Sequence, residues 1–391
     1  MLNEKMKALG QNRSKIRDLF EYGKILKQQG ETVCDFTLGN PSVKTPDSVT
    51  QILIDGLKKS DVHAYTQAQG SAMARQKIAS DLNKKGKTTF TENGIALTCG
   101  AAASLCGVFK AITSSRTDEI VVLSPFFPEY KVFIESCSSN FKSVEFDNDF
   151  SPSFSSLENA ITKNTKALVI NNPNNPSGKI YTVDEICKIT EILNKKSKEF
   201  SHPIYLISDE PYREIVFGDA KLPFIPDFYK DTIICYSFSK SLSLPGERIG
   251  YIAIPSEISE FIDLYASILG SLRAFGYVCA PSLFQYLIEN FNGEYSDFSI
   301  YENNLKTLLS TLKNLGFTCN EPKGAFYLMV KAPDGDSEKM SERAKELGLL
   351  IVPADSFGAK GWVRIATCVS KETVENSKPL FEKLAKVYNL I

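Results

Sequence analysis

Five short apolar runs set the terms on which this chain can fold: Ile95–Thr98, Ile120–Leu123, Ala167–Ile170, Ile204–Ile207 and Thr232–Tyr236. Each is nearly continuous rather than alternating, the pattern of a strand covered on both faces. Helical patterns lie between several of them, at Ala101–Ile112, Glu129–Cys137 and Val183–Glu199. Such alternation predicts an α/β fold with a mainly parallel sheet flanked by helices. Ligands of these sheets bind beyond the carboxyl ends of the strands. The segments that follow the five runs are Gly100, Pro125–Tyr130, Asn171–Gly178, Asp209–Tyr212 and Ser237–Lys240, and these are the candidate site segments.

The flanks read differently. A helix is expected over Asn12–Gln29, with Ile16, Leu19, Phe20 and Leu26 on one face and Gly30 closing it. A short strand, Val33–Leu38, runs into the turn at Gly39, and Asp47 is expected to cap a second helix. A third helix is expected over Ser71–Asn83. After about Ser282, helical stripes at Leu283–Phe291 and Tyr301–Leu315 alternate with strand-like Gly324–Val330 and Trp362–Thr367. With 391 residues, two lobes are expected. Residues 46–282 form the large domain and 283–391 a smaller α+β domain, against which the N-terminal segment 1–45 packs.

Charge excludes some classes of partner. Lys and Arg number 45 against 46 Asp and Glu, so no nucleic-acid or acidic-membrane footprint is present. Nine cysteines lack any CxxC pair and only two histidines accompany them, which supports neither a metal site nor a disulfide framework. They read as reduced, buried small hydrophobes of a cytoplasmic protein. The first residues carry no apolar signal core, and Ile95–Ile112 is broken by Gly100, Gly107 and Lys110, so neither secretion nor a membrane span is expected.

Chemistry concentrates where the strand Thr232–Tyr236 ends in Ser237, Phe238, Ser239 and Lys240, with Arg248 further on. A lysine held at a strand end, desolvated or crowded by positive charge, loses affinity for its proton and becomes a usable nucleophile. The hydroxyls and the guanidinium suit a phosphate. An amine beside a phosphate cradle is what an aldehyde cofactor bearing a phosphate, such as pyridoxal phosphate, requires. Asp209 would be costly at a buried strand end unless partnered; a protonated pyridine nitrogen is one partner, and a helix N-cap role is the alternative. Asn171–Gly178 is dense in turn formers and reads equally as a loop closing a strand.

In order along the chain stand the Gly39 turn, Phe127-Pro-Glu-Tyr130, Asn175-Pro-Ser-Gly178, Asp209-Glu-Pro-Tyr212, Ser237-Phe-Ser-Lys240, Arg248 and Arg364. This ordered set resembles the fold-type-I pyridoxal-phosphate enzymes, and within them the class I/II aminotransferases, from about Gly39 to Arg364. The resemblance implies that Lys240 bonds the cofactor aldehyde and moves the substrate's α-proton. It gives Asp209 the pyridinium nitrogen, Asn175 and Tyr212 the 3′-oxygen, and Phe127 the ring face. The phosphate would rest on the Ala101 and Ala102 amides that follow Gly100, on Ser237, Ser239 and Arg248. Tyr65 matches a tyrosine lent to the phosphate of a neighbouring subunit, which implies a homodimer with shared active sites. Arg364 matches the arginine that clamps the substrate α-carboxylate, with Gly39 and Asn175 beside it. Taken singly, Tyr65 and Phe127 read more readily as core aromatics than as cofactor contacts.

The expected substrates are an L-amino acid and a 2-oxo acid, with 2-oxoglutarate and glutamate as the common pair and aspartate as the other donor. Ala102 stands where some bacterial aspartate aminotransferases carry a lysine for the distal carboxylate. Arg273, contributed across a dimer, is the substitute; Arg13, Ser14 and Tyr277 could also approach the substrate. Alanine, aromatic amino acids and kynurenine remain open as donors, as do elimination or decarboxylation on the same scaffold. A non-catalytic regulator would carry a basic recognition module that this chain lacks.

Overall fold

The computed structural model describes residues 2–11, 15–147 and 149–391. Its strands, in chain order, are β1 (Cys34–Asp35), β2 (Ile95–Thr98), β3 (Glu119–Leu123), β4 (Asn140–Val144), β5 (Thr165–Asn171), β6 (Tyr205–Asp209), β7 (Thr232–Ser237), β8 (Gly250–Ala253), β9 (Tyr327–Lys331), β10 (Leu349–Leu350), β11 (Val352–Pro353) and β12 (Trp362–Ala366). Seven of them form one sheet in the order β2-β8-β7-β6-β5-β3-β4. Pairing is parallel from β4 through β7, whereas β8 runs antiparallel to both of its neighbours, β7 and β2. The five apolar runs are all in this sheet. The two strands not expected have their own reasons. β4 is an edge strand in which Val144 alone is buried, and β8 sits directly behind the polar turn that ends in Arg248.

Helices cover both faces. Ala101–Ile112 and Phe261–Ala274 pack together over one face, with Tyr130 and Ile134 beside them. The other face is covered by Leu157, Ile186, Ile189 and Leu193 in one core, and by Val49, Ile78 and Leu82 in another. The helix Ser282–Glu289 buries Phe284, Leu287 and Ile288 in that last core, so the change of texture near Ser282 does not coincide with a change of core.

A second sheet, β11-β12-β9, is antiparallel, and β1 pairs in parallel with β10. The helices Ser299–Asn314, Ser337–Glu346 and Lys371–Val387 enclose it. The helix expected from Asn12 is described from Lys15 to Gln28, and Gly30 follows it at φ 83°. Asp47 does not cap its helix. Pro46 occupies the cap position without a side-chain hydrogen bond, while Asp47 is the first helical residue and pairs with Lys44 at 2.5 Å.

Register is what builds the site. Asn171 lies beside Asp209, Asp209 beside Cys235, and Gly250 between Thr98 and Ser237, so the ends of five strands meet along one edge. Gly250 is required by this close approach: a Cβ there would fall 2.3 Å from the Tyr236 carbonyl oxygen and 2.9 Å from the Gly100 Cα. Gly250→Ala should therefore destabilise the fold by about 1–3 kcal/mol and lower Tm by several degrees, as overpacking against backbone does. An unchanged Tm in thermal unfolding would contradict this reading.

Candidate active site

The strand ends open into a concave cleft of about 270 Å³ that is open to solvent, the kind of place where a cofactor and a small substrate bind. Four charged side chains line it among the described residues: Asp209, Lys240, Arg248 and Arg364.

Lys240 sits in a four-residue helix, Phe238–Ser241, that follows β7 without a break. Its Nζ donates to the Gly39 carbonyl at 2.6 Å and lies 5.6 Å from the Phe326 ring centroid. Burial pushes the amine down to about 8; Arg248 and Arg364 act in the same direction and the Cys368 thiol opposes them. A lysine in this state is partly neutral at physiological pH and can attack a carbonyl. Gly39 is narrow ground, since a Cβ there would overlap the Tyr327 hydroxyl at 1.9 Å.

Asp209 ends β6 and is buried. Its Oδ2 accepts a hydrogen bond from the Tyr130 hydroxyl and lies 3.4 Å from Asn171 Nδ2. Its Oδ1 has no partner among the described residues. Burial raises this carboxyl to about 7, the Tyr130 hydrogen bond lowers it, and the adjacent Glu210 raises it further. A carboxylate oxygen left unpaired in such a setting suits a cationic N–H donor.

At the other end of the cleft the polar groups suit an anion. Gly100 at φ 85° turns β2 into the helix Ala101–Ile112, whose first amides, at Ala101 and Ala102, lack intrahelical acceptors. A Cβ on Gly100 would lie 2.6 Å from Arg248 Nη2, so only glycine lets the guanidinium approach. Ser237 Oγ and Ser239 Oγ are 2.7 Å apart, and Arg248 Nη1 donates to Ser239 Oγ at 3.3 Å. The pairing of β2 with β8 sets that turn against the end of β7, and the helix dipole adds positive potential.

Arg364, in the middle of β12, is 2% exposed. It donates to Asn175 Oδ1 at 3.2 Å and to the Thr37 carbonyl at 2.5 Å, while its Nε is buried without a partner among the described residues. The Tyr327 and Phe357 rings lie 4.5 and 4.9 Å from its guanidinium carbon and hold it in plane. Asn175 is itself fixed by its amide, which donates to Asn171 Oδ1 at 2.5 Å. Tyr212 meets Tyr327, their hydroxyls 3.0 Å apart.

Gly39, Ala101, Ala102, Phe127, Asn175, Asp209, Tyr212, Ser237, Ser239, Lys240, Arg248 and Arg364 thus share the cleft, with Gly100 at its rim. Tyr65 and Arg273 are not brought there. Tyr65 is 98% exposed, and Arg273 faces a separate hollow with Ala68, Tyr277 and Val278. Arg13 and Ser14 lie outside the described residues. Sequence alone gives Ile16 and Tyr327 no role at the site, because each sits inside an ordinary helical stripe or apolar run, and it places Tyr130 in a candidate segment without showing what its hydroxyl meets. Only their position on a neighbouring element reveals them.

Pyridoxal phosphate fits this donor set. An amine of lowered basicity stands between an anion cradle and an unpaired carboxylate oxygen, with the Phe127 ring alongside. A family model described as "Aminotransferase class I and II" matches residues 31–377. The chain is 29% identical over 386 residues to an aspartate aminotransferase of Pyrococcus horikoshii, covering 95% of this chain and 94% of the relative. It is 31% identical over 372 residues to a "Probable aspartate/prephenate aminotransferase" of Aquifex aeolicus, covering 89% and 90%. The crystal structure of an amino transferase from Eubacterium rectale superposes with a TM-score of 0.97 at 46% identity, covering 100% of this chain and 99% of the other.

The raised Asp209 carboxyl makes the cofactor-free protein pH-sensitive. Its folded value of about 7 lies above the ordinary 3.8, so as pH rises the unfolded chain gives up this proton first. Stability therefore falls between those values and is level above about 7. Asp209→Asn should raise the stability of the cofactor-free protein at pH 8 by up to about 4 kcal/mol, with the gain shrinking toward zero below pH ~4. Thermal unfolding at both pH values checks this; a gain independent of pH contradicts it.

Proposed function

The chain belongs to the class I and II aminotransferases, and from that premise we propose that its cleft exchanges an amino group between aspartate and 2-oxoglutarate. It is a pyridoxal-phosphate-dependent enzyme acting on an L-amino acid and a 2-oxo acid. The observation that carries the reading is the pairing of a buried, poorly basic Lys240 with the unpaired Asp209 oxygen across one cleft.

The cofactor supplies an electron sink for the α-carbon of the bound amino acid. Asp209 holds a proton on the ring nitrogen, and its own carboxyl, once beside a cation, is drawn back to the ionised form. Asn175 and Tyr212 orient the ring through its 3′-oxygen, and Phe127 packs on its face. Ala101, Ala102, Ser237, Ser239 and Arg248 bind the phosphate. Arg364 takes the α-carboxylate through its guanidinium fork, aided by Asn175 and the Gly39 backbone, and so sets the α-hydrogen toward Lys240. Lys240 Nζ would take up that α-proton and give it back before the turnover ends, so that the amine is regenerated.

The partner subunit enters through Tyr65. Its near-complete exposure supports a homodimer in which it reaches the neighbouring phosphate. Phe275, Tyr277 and Val278 are exposed too, and Cys279 Sγ approaches the Thr66 carbonyl at 3.2 Å, which holds this segment against the one that carries Tyr65. We place the protein in the cytoplasm, in keeping with nine cysteines that form no disulfide. Among the described residues no helix is long and apolar enough to cross a membrane.

Aspartate as donor rests on the named relatives and on Arg273 reaching across that dimer to the distal carboxylate. One observation favours a second reading. Ile16, Leu38, Leu105 and Pro245 line the cleft and suit an apolar side chain. A screen of the amino acids against the cofactor-loaded protein, following loss of its visible absorbance band, separates the two. Aspartate and glutamate should react fastest; phenylalanine or leucine reacting faster would replace the donor. Arg273→Ala should raise KM for both dicarboxylates about tenfold or more and leave that for alanine unchanged. Equal effects on all three would reject the role.

A further inference from the structure

Behind the cleft, on the opposite face of the sheet, lies a buried group of ionisable side chains that the reaction does not use. Residues 209 and 210 are consecutive at the end of β6, so Asp209 faces the cleft while Glu210 faces away, sharing its side with Ser208, whose hydroxyl donates to Glu210 Oε1 at 2.6 Å. Arg213 forms a buried ion pair with Glu210, and its Nη1 donates to the Tyr251 hydroxyl at 2.8 Å. Its guanidinium carbon lies 4.6 Å over the Tyr236 ring, which stacks on Tyr251 at 4.9 Å between centroids.

The Tyr236 hydroxyl is the junction. It lies 2.8 Å from Glu214 Oε2 and 2.8 Å from Ser241 Oγ. The phenol's one proton is shared between these two acceptors. Ser241 is 1% exposed and is the next residue after Lys240 in the four-residue helix. This single turn is held by few bonds of its own, the Leu242 amide on the Phe238 carbonyl at 3.2 Å and the Ser239 amide on Ser237 Oγ at 3.2 Å, so contacts from outside add to what fixes its rotation. Glu214 Oε1 is buried without a partner among the described residues, and burial raises that carboxyl despite the nearby Arg213 and Lys85. A charged group kept in such a place costs stability, and this one is attached to the backbone turn that carries Tyr212.

We propose that Tyr236 is a positioning residue for Lys240, its hydroxyl tying Ser241 to Glu214 and, through Arg213 and Glu210, to the strand end that carries Asp209. The Lys240 amine and the Asp209 carboxylate are thus held at a fixed separation from behind the sheet, by side chains that do not line the cleft. The inference rests on the reading of Lys240 as the reacting amine. On the cleft side that amine faces Arg248, Arg364 and the Cys368 thiol, so a small rotation of the helix alters its surroundings.

Tyr236→Phe removes the junction and keeps the ring contacts, and Ser241→Ala removes its other end. Both should lower kcat about tenfold with KM within about twofold, as a misplacement of less than an ångström does. Both should also displace the pH midpoint of the cofactor's visible band, and the double variant should be no worse than either single one. Variants that lose Tm but keep kcat and the midpoint, or whose effects add, would overturn the proposal. Lys240→Ala separates the two levels. If it retains turnover, the reading of Lys240 fails and this inference falls with it. If it is inactive while Tyr236→Phe behaves as wild type, only the positioning role is lost.

Discussion

Three cations and one carboxylate line one cleft, and the rest of the molecule is arranged to make that tolerable. Arg364 and Asp209 are buried and would each cost several kcal/mol if merely removed from water, Lys240 is partly buried beside them, and Arg248 stays open to solvent at the rim. The fold offsets part of this with fixed partners: the Gly39 and Thr37 carbonyls, Asn175, Ser239 and Tyr130. Compensation is left incomplete at Asp209 Oδ1 and Arg364 Nε. Those two atoms belong to residues of the cleft that holds Lys240, one suited to a ring cation and the other to a carboxylate. An aminotransferase needs both, and needs the lysine between them to be poorly basic.

The two sheets supply this arrangement in different ways. The parallel strands β5, β6 and β7 deliver Asn171, Asp209 and Ser237 to one edge by register alone. The antiparallel β8 is needed to return Arg248 to the same edge, where the glycine at 100 makes room for it. Arg364 comes from the second sheet, and Tyr327, on the adjacent strand β9, bridges it to Tyr212. Binding at that seam therefore draws on both sheets at once. The polar network around Tyr236 lies behind the same strand ends and links the short helix of Lys240 to the turn after Asp209.

Much of this was legible in the sequence, and the reason is physical. Strands buried on both faces leave unbroken apolar runs, so β2, β3, β5, β6 and β7 could be read directly, and each cleft residue at their ends follows its strand within a few positions. β4 was not legible because an exposed edge strand such as Asn140–Val144 has no reason to be apolar. The helix Ser337–Glu346 is mostly polar, and Lys371–Val387 carries Pro379 inside it; neither displays a plain stripe. Partner residues were hidden for another reason. Tyr130, Tyr327 and Tyr236 look like packing aromatics, and only the fold reveals that each hydroxyl meets a polar group of another segment.

The claim on which all of this turns is that Lys240, of all the lysines, holds the cofactor. Reduction of the loaded protein with borohydride traps pyridoxal phosphate on whichever amine it has bonded, and peptide mass spectrometry then locates it. The expected result is a single modified peptide with the cofactor on Lys240 and the visible band lost in proportion. Modification at another lysine, such as Lys85, or no modified peptide from a protein that shows the visible band, would contradict the assignment.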